Sequence, residues 1–511
     1  PTPAELADLS LLRTNWLAVN AASAPSSSAL RSAYTSWTNM HIISNSFGIK
    51  GAVVSHLYTD PLESWVDTLG ESVYWSNNAD SAAKMKLLLR HLWDQGMDTG
   101  SGEAQAGGAE GYDFRQAPRG FILAARAYDA DFKDRAWQML HWMYRMGRYW
   151  RPNPPPGDNV DDIYLTQRQQ LGAILFLAPD DAVSVQYLRG FKRYLERFLT
   201  HSNGTDDAIK VDGVSFHHRT HYIAYMYSLS ELADVLHMLR GTSFQVNSNA
   251  YITLRGAYQA MLIMSNKSDS SSKPGQYANS LSGRHPFGVS LPFSYSQMQK
   301  LGQLGGEVLG MSADPVVARS YNRLFGGSYP YSLFTPYGVE PNPTGFYQFN
   351  YSPVGIYRQS NWVATIKGMG TNFWGSEIYP LENLYGRYTS YGAAEIWYPG
   401  AKEISGFSLT GWDWNKPPGT TTIQLPWEML ISEGRREDVR SALNFSGALS
   451  FKGDSGLYAC NFREVQKTGY TNHNGTFAWK KSWFCFSNQI VCLGSGITNN
   501  DSAHPTITTL F

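Results

Sequence analysis

The sequence predicts a multidomain α+β fold, in which an N-terminal (α/α) toroid of helical hairpins precedes an antiparallel β-sandwich. Three observations support this prediction. The chain has 511 residues, more than one domain usually contains. Apolar residues recur at helical spacing over roughly the first 330 residues, and from Gly345 onward they alternate as in strands. We therefore assign residues 1–335 to the toroid and residues 336–511 to the β-sandwich.

The first helix begins at a recognisable N-terminal signature. Thr2 and Glu5 have the spacing of a capping box, and Pro3 occupies the first helical position. Further helices are predicted at Ser81–Gln95, Pro118–Tyr128, Asp134–Met146, Ile163–Leu177, Asp180–Leu199, Leu229–Leu239 and Ala250–Met264. Their lengths and the short joints between them are typical of stacked helical hairpins.

The C-terminal part of the chain is predicted to form strands after the proline-containing stretch Pro330–Pro343. The segments that favour strands are GFYQFNY, VGIYRQ, WVATIKGM, AAEIWYP, TTIQLP, ALSFKG and IVCLG. Gly, Pro, Asn and Asp separate them, and helical stripes are absent. Many short strands of this kind favour an antiparallel sandwich.

Net charge and hydropathy bear on the kinds of partner and the location expected for this chain. Lys+Arg and Asp+Glu number 42 each, so the net charge indicates no particular partner, and a polyanion could still bind in a locally positive cleft. We expect neither a nucleic-acid nor a membrane partner. No apolar run reaches the ~18 residues of a membrane span. The chain opens on PTPAEL, which looks processed, and it carries N-glycosylation triplets. We expect a secreted or periplasmic monomer.

The three cysteines, Cys460, Cys485 and Cys492, all lie near the end of the chain. An odd number cannot all pair within one chain. Cys485 and Cys492 flank a Ser-Asn-Gln turn, so they could form a hairpin disulfide, and Cys460 could compete for either. No residues have the spacing of a zinc site, and we predict no bound metal.

Four segments concentrate side chains suited to acid–base chemistry. They are DGVSFHHRTHYIAY (residues 212–225), SGRHPF (282–287), NFWGSEIY with NLYGRY (372–388) and GWDWNKPPGTTT (411–422). In the first, His218 and Tyr225 lie seven residues apart and would share a helix face. Solvated histidines or a surface ion pair would look the same, so no segment establishes a site alone.

Together these residue types suit the removal of a proton next to a carboxylate, as in a uronic acid. A cation such as Arg284 could neutralise the carboxylate as charge develops. A base then takes the proton, and an acid protonates the departing oxygen. Tyrosine serves both roles when its pKa of ~10 is lowered by nearby cations. His218 could polarise the site or act as base on the epimeric uronate, and Glu377 would orient Arg284 or Tyr225.

The order of these motifs resembles polysaccharide lyase family 8, the hyaluronate and chondroitin lyases. The similarity is carried by DGVSFHHRTHYIAY, SGRHPFG, WGSEIY with NLYGRYTSYG, and GWDWNKPPGTT. YLTQRQQLGAILFLAPDD and LHMLRGTSFQV are also similar to their counterparts. The resemblance runs from about Asp161 to the C-terminus and is greatest to the broad-specificity chondroitin ABC lyases.

The resemblance implies a catalytic set of His218, Tyr225, Arg284 and Glu377. It implies β-elimination of chondroitin sulfate, dermatan sulfate and hyaluronan to 4,5-unsaturated oligosaccharides, with an acidic polysaccharide as partner and no organic cofactor. Structural calcium occurs in such proteins, but no motif here indicates it. Substrate-binding roles are assigned to Arg168, Gln169, His221, His285, Trp374, Asn383 and Arg387.

The sequence also departs from the pattern of the family. Related lyases carry an asparagine on an upstream helix that grips the substrate carboxylate. No such asparagine is identified here, and Gln169 or Arg168 lies in the corresponding region. Between His218 and Tyr225, ABC-type lyases have glycine and proline where this chain has other residues, which leaves fine specificity open. The chain ends about where the family's β-sandwich should continue, so we expect either a trimmed chain or a shortened member.

Two other functions fit parts of this pattern. A non-catalytic glycosaminoglycan-binding protein could use the same scaffold, but the catalytic residue types are all present. A glycoside hydrolase would need two carboxylates flanking the scissile bond, and the neighbours of Asp212 and Glu377 do not favour that pairing. Elimination leaves a double bond that absorbs ultraviolet light, whereas hydrolysis leaves a saturated sugar.

Overall fold

The computed structural model describes residues 1–21, 23–52, 60–100, 117–152, 156–218, 227–281, 290–378, 383–408, 410–431, 437–465 and 476–510. The chain divides into two compact units, which are described separately. The first comprises Pro1–Pro154, Asp161–Arg197 and Asp234–Asn247. The second comprises Pro155–Val160, Phe198–Ala233 and Ser248–Phe511.

The first unit is built from helices. They are α1 (Pro3–Asn20), α2 (Ser27–Asn39), α3 (Asp60–Ser76), α4 (Ala79–Asp94), α5 (Ala117–Leu123), α6 (Ala130–Met143), α7 (Val160–Phe176) and α8 (Asp181–Phe198). A small hairpin of β1 (Ile43–Asn45) and β2 (Gly48–Lys50) precedes α3. The predicted helices at α1 and from α4 to α8 are confirmed, and α5 is shorter than predicted because it tightens into a 3₁₀ turn after Leu123.

The capping box predicted at the start of α1 is present. The Thr2 hydroxyl accepts from the Glu5 backbone at 3.2 Å, and the Thr2 backbone donates to the Glu5 carboxylate at 2.7 Å. Further along α1, the Trp16 indole donates to the carbonyl of Arg168 at 2.9 Å. A Cβ at Gly172 would lie 2.4 Å from the Trp16 ring, so this glycine lets α1 pack closely on α7.

The helices of the second unit are α9 (Tyr227–Leu239, which ends in the first unit), α10 (Ser248–Met264), α11 (Tyr295–Leu309), α12 (Pro315–Leu324) and α13 (Trp427–Leu430). α11 was not predicted because its glycines obscure the helical pattern. They serve close packing, since a Cβ at Gly305 would lie 2.0 Å from the Tyr251 hydroxyl oxygen. None of the helices in the described part of the chain is both long and apolar enough to cross a bilayer.

Two four-stranded antiparallel sheets form the predicted β-sandwich. One has the order β11–β9–β8–β7, with β7 (Gly345–Phe349), β8 (Val354–Arg358), β9 (Val363–Lys367) and β11 (Ala393–Trp397). The other has the order β14–β15–β16–β17, with β14 (Phe445–Phe451), β15 (Ser455–Arg463), β16 (Ala478–Phe486) and β17 (Gln489–Thr498). Phe346 and Tyr357 from the first sheet and Tyr458 and Trp483 from the second share one buried cluster, as expected for packed sheets.

Short antiparallel ribbons complete the described strands. They are β3 (Ala208–Ile209) with β4 (Ser215–Phe216), β5 (Asn266–Lys267) with β6 (Gly275–Gln276), β10 (Ser376–Ile378) with β13 (Glu437–Val439), and β12 (Thr421–Ile423) with β18 (Thr506–Thr508). The last long helix ends at Leu324 and the sandwich begins at Gly345. The domain boundary between residues 335 and 336 stays a prediction.

The inner strands β15 and β16 are present although the sequence did not predict them. β16 places a lysine where alternation requires an apolar residue, because Lys481 points inward and is only 8% exposed. Its ammonium donates to the carbonyl of Gly392 at 3.3 Å and lies 5.1 Å from the centre of the Trp483 ring. These contacts replace water around the cation, and the contact with Gly392, 89 positions away, cannot be read from the local sequence.

All three cysteines are free. Cys492 lies opposite Trp483 and Cys485 lies opposite Ile490, so the two thiols are diagonal neighbours across β16 and β17. Diagonal positions are about 7–8 Å apart at Cα, more than a disulfide normally spans. Burial raises the pKa of Cys460 and of Cys485 to about 12, so both buried thiols are poor nucleophiles.

Candidate active site

The histidine-rich segment leaves the end of the β3–β4 ribbon, which is firmly held. Gly213 in its turn has φ of 88°, and a Cβ there would lie 2.8 Å from the carbonyl oxygen of Gly256 in α10. The turn therefore needs glycine for both its conformation and its close approach. Phe216 at the end of β4 is fully buried and meets Phe373 edge-on, with ring centres 6.1 Å apart. His217 and His218 therefore follow directly after a residue whose position is fixed by packing.

Two charged residues support this hairpin from within. Lys210 is fully buried, donates to the carbonyl of Asn203 at 3.2 Å, and lies 4.6 Å from the centre of the Phe216 ring. Burial lowers the pKa of Lys210 to about 8. Asp212 accepts from the backbone N–H of Tyr351 at 3.2 Å, and burial raises its pKa. Asp212 is therefore engaged in holding the hairpin.

His217 continues the hairpin and lies almost completely inside the protein, at 1% exposed. Its Nδ1 donates to the carboxylate of Asp207 at 2.6 Å. Because Ala208 pairs with Phe216 in the ribbon, Asp207 and His217 are the next residues facing each other across it. The contact is a cross-strand pair of opposite polarity.

His218 is the catalytic histidine implied by the family motif. It has φ of 49°, a left-handed conformation that is uncommon for residues other than glycine. Its Nδ1 lies 3.3 and 3.4 Å from the two carboxylate oxygens of Glu377. The His218 side chain is 25% exposed whereas that of Glu377 is fully buried, so the carboxylate lies behind a ring that solvent can reach.

Glu377 is fixed by its strand. It is the central residue of β10, which pairs with β13, and the Asn383 amide donates to its backbone carbonyl at 3.0 Å. Asn383 is in turn held by the backbone N–H of Gly386, which donates to its carbonyl at 2.7 Å. The structure thus brings together His218, Glu377 and Asn383 of the predicted site.

This arrangement defines what the imidazole can do. A carboxylate accepts only, so Glu377 fixes the Nδ1–H form of His218, and proton transfer would then run through Nε2. In its protonated form the same ring becomes a cation with a partner already in place. Either state suits a site that binds or develops negative charge.

Trp374, Asn383 and Arg387 were predicted to bind substrate, and all three are enclosed in the second unit. They are 8%, 2% and 2% exposed. Arg387 lies in a 3₁₀ turn, where it lowers the pKa of its neighbour Tyr388 while burial raises that pKa by more. Contact between these side chains and a sugar chain stays a prediction.

Arg168 and Gln169 belong to α7 in the first unit. Both are half-buried, whereas Gln167 and Gln170 on the same helix are 1% exposed. The Arg168 guanidinium lies 3.6 Å from the carboxylate of Asp234. Both side chains thus keep part of their surface exposed, and their role in binding stays a prediction.

The remaining predicted site residues lie outside the described residues. They are His221, Tyr225, Arg284 and His285. Two further residues, Asp207 and His217, have a place at the site that was not predicted from the sequence. The signal available was the hairpin itself, since a turn centred near Gly213 would place these two side chains opposite each other.

Two family models match this chain. One, described as "Lyase, catalytic", covers residues 72–328. The other, described as "Polysaccharide lyase family 8, super-sandwich domain", covers residues 344–510. The matches follow one another along the chain, first over the helical part and then over the sandwich.

Curated relatives include two lyases of Proteus vulgaris. The chondroitin sulfate ABC exolyase is 30% identical over 470 residues, which is 87% of this chain and 45% of that protein. The chondroitin sulfate ABC endolyase is 30% identical over 445 residues, which is 83% of this chain and 41% of that protein. This chain therefore spans less than half the length of these relatives.

Solved structures of low identity share the fold. A variant of the chondroitin AC lyase of Streptomyces coelicolor A3 has a TM-score of 0.63 at 16% identity, over 98% of this chain and 71% of that one. A Paenibacillus xanthan lyase has a TM-score of 0.66 at 14% identity, over 97% of this chain and 48% of that one. These similarities confirm the predicted toroid and sandwich, and the family matches show that the chain belongs to polysaccharide lyase family 8.

Proposed function

We propose that this chain is a polysaccharide lyase that cleaves uronic-acid-containing glycosaminoglycans by β-elimination. The observation that carries this proposal is the contact between His218 and the buried carboxylate of Glu377, in a chain of this family. The expected substrates are chondroitin sulfate, dermatan sulfate and hyaluronan, and the products are 4,5-unsaturated oligosaccharides.

The reaction begins with loss of the proton next to the uronate carboxylate. Arg284 is assigned to neutralise that carboxylate, which stabilises the enolate-like charge that develops. Tyr225 is assigned to take the proton and then return one to the departing glycosidic oxygen. Its hydroxyl must be deprotonated to act as base, which requires a pKa below the ordinary tyrosine value of about 10.

His218 is assigned to polarise the site, or to act as base on the epimeric uronate whose proton faces the opposite side. Glu377 supports either role through Nδ1, because it fixes the tautomer and orientation of the ring. A misplaced catalytic group loses rate steeply with distance, so a buried carboxylate that holds the ring contributes to turnover without touching substrate.

The names of the relatives support the substrate class. The two Proteus vulgaris proteins are named for chondroitin sulfate ABC, and one structural neighbour is a chondroitin AC lyase in complex with chondroitin sulphate, with a TM-score of 0.62 at 16% identity. Hyaluronan as a further substrate, secretion or a periplasmic location, and a monomeric state are parts of the same proposal. Arg168, Gln169, His221 and His285 are assigned to bind the polymer.

The test is an ultraviolet absorbance time course with chondroitin sulfate, dermatan sulfate, hyaluronan and heparin in parallel, using the parent chain and His218→Ala. A rise with the first three polymers that is lost in the variant supports the proposal. A rise with only one polymer keeps the mechanism and narrows the substrate. New reducing ends without absorbance would indicate hydrolysis, and no reaction with any polymer would refute the proposed activity.

A further inference from the structure

The catalytic histidine is packed against a second histidine. The rings of His217 and His218 stack with centres 3.7 Å apart and planes inclined by 29°. The side chain of His217 is only 2% exposed, against 25% for His218. One ring is therefore fixed inside the protein, and the other lies on it toward solvent.

His217 is itself oriented by Asp207. The 2.6 Å contact from Nδ1 to the carboxylate is short for an N–H···O bond and involves a charged acceptor, which is the stronger kind. It fixes rotation about the bond that joins the His217 ring to its Cβ. The ring then offers one defined face to its neighbour.

The His218 ring is thereby held in two directions. Glu377 holds its Nδ1 edge, and the His217 ring covers one of its faces. The backbone of His218 has φ of 49°, which costs energy and persists only where surrounding contacts determine it. A ring held only at Nδ1 could still tilt about that contact, and the stacked partner prevents the tilt.

We propose that Asp207 and His217 form a positioning pair that sets the orientation of His218 for the lyase reaction. The inference rests on the proposed function and deepens it. His217 acts through its neighbour, since its side chain is almost completely enclosed, and Asp207 acts through His217. The chain of contacts runs from Asp207 to His217, then to His218 and to Glu377.

The first experiment compares Asp207→Ala and Asp207→Asn with Asp206→Ala. Asp206 is the exposed neighbouring carboxylate, and both carboxylates oppose the lowering of the pKa of Lys210, so the control reproduces that side effect. Asp207→Ala should lower kcat by about 10- to 100-fold, as expected for a displaced catalytic group, with KM changed less than about twofold. Asp207→Asn keeps an acceptor of the same shape and should retain intermediate activity.

Two readouts separate positioning from a general loss of structure. The thermal midpoint of Asp207→Asn should match the parent, so its lower kcat cannot reflect unfolding. The rate at which diethyl pyrocarbonate modifies His218, followed by peptide mass spectrometry, should rise several-fold in Asp207→Ala and stay constant in Asp206→Ala. This second readout needs no catalysis.

The outcomes distinguish this inference from the proposed function. If the parent chain produces no unsaturated product from any polymer, the proposed function fails, and the modification rate of His218 alone decides on the pair. Unchanged kcat together with unchanged modification of His218 overturns the inference. The inference is also overturned if Asp207→Asn lowers kcat, raises KM and lowers the thermal midpoint together, because that combination indicates only a structural contact.

Discussion

Replacement of Glu377 by glutamine tests the central contact of the site with little change in shape. The carboxylate is fully buried and lies 3.3 and 3.4 Å from Nδ1 of His218. A hydrogen bond to a charged group contributes about 1.5–3 kcal/mol, and these distances are long, which favours the lower end. About 1.5 kcal/mol corresponds to roughly tenfold in rate. Glu377→Gln should therefore lower kcat about tenfold and leave KM nearly unchanged.

The assay is the ultraviolet time course on chondroitin sulfate, with Glu403→Gln as a control because Glu403 is an exposed carboxylate of the same unit. Thermal stability should be unchanged or higher, since a buried charge is removed. Tyr225→Phe, which removes the assigned acid and base, should be far more damaging. An unaffected kcat in Glu377→Gln would refute the orienting role. A loss larger than that of Tyr225→Phe would show that Glu377 acts directly on the substrate.

Three further predictions concern stability and reactivity. Lys367 in β9 is fully buried, and burial lowers its pKa from 10.5 to about 7. The charged lysine therefore destabilises the folded state, and this destabilisation is complete below about pH 7. It disappears as the pH rises toward 10.5, where the unfolded chain also loses the proton. Lys367→Met should therefore raise the free energy of unfolding by a few kcal/mol in urea titrations at about pH 6, with the gain shrinking at about pH 10, and an equal gain at both pH values would contradict this reasoning. Gly213→Ala should destabilise the protein by more than Gly204→Ala, because both have positive φ but only Gly213 also meets backbone within 3 Å; equal losses would mean that conformation alone matters. In the native protein, iodoacetamide should alkylate the exposed Cys492 while the two buried cysteines react only after unfolding, and mass spectrometry that finds them alkylated in the folded chain would disprove their burial.

The elements that could be predicted are those in which one kind of pattern dominates. α1 carries a capping box and an unbroken apolar stripe, and its start matches the prediction to the residue. α11 contains three glycines within five positions. Glycine has a low helix propensity, so the local sequence argues against a helix there. Those glycines are needed by neighbours such as Tyr251. Tertiary packing therefore decides the helix, and a single sequence does not show that packing.

The strands also divide into those that the local apolar pattern predicts and those that tertiary packing decides. β7, β8 and β9 follow apolar segments that were predicted, whereas β16 buries Lys481 between two tryptophans. A lysine at an inward position interrupts the expected alternation. The Gly392 carbonyl that accepts from its ammonium lies 89 positions away, so the sequence around β16 does not reveal this stabilising contact.

For the site, local sequence and long-range geometry contribute differently. His218 and Glu377 are separated by 159 positions, and nothing in either segment alone links them. The family resemblance placed both in one catalytic set, but with Glu377 expected to orient Arg284 or Tyr225 rather than His218. It could not supply the pair of Asp207 and His217, because that pair depends on the register of a hairpin only two residues long on each side.

Burial separates two groups of residues within the motifs shared with the family. His218 keeps a quarter of its side chain exposed, as a group that meets substrate must. Trp374, Asn383 and Arg387 are nearly enclosed, and Asn383 already uses its amide to hold the backbone carbonyl of Glu377. A motif can persist because its residues position a catalytic group as well as because they bind substrate. Substitutions at the enclosed positions should therefore affect kcat and stability before they affect KM, and an effect on KM alone would assign them to binding.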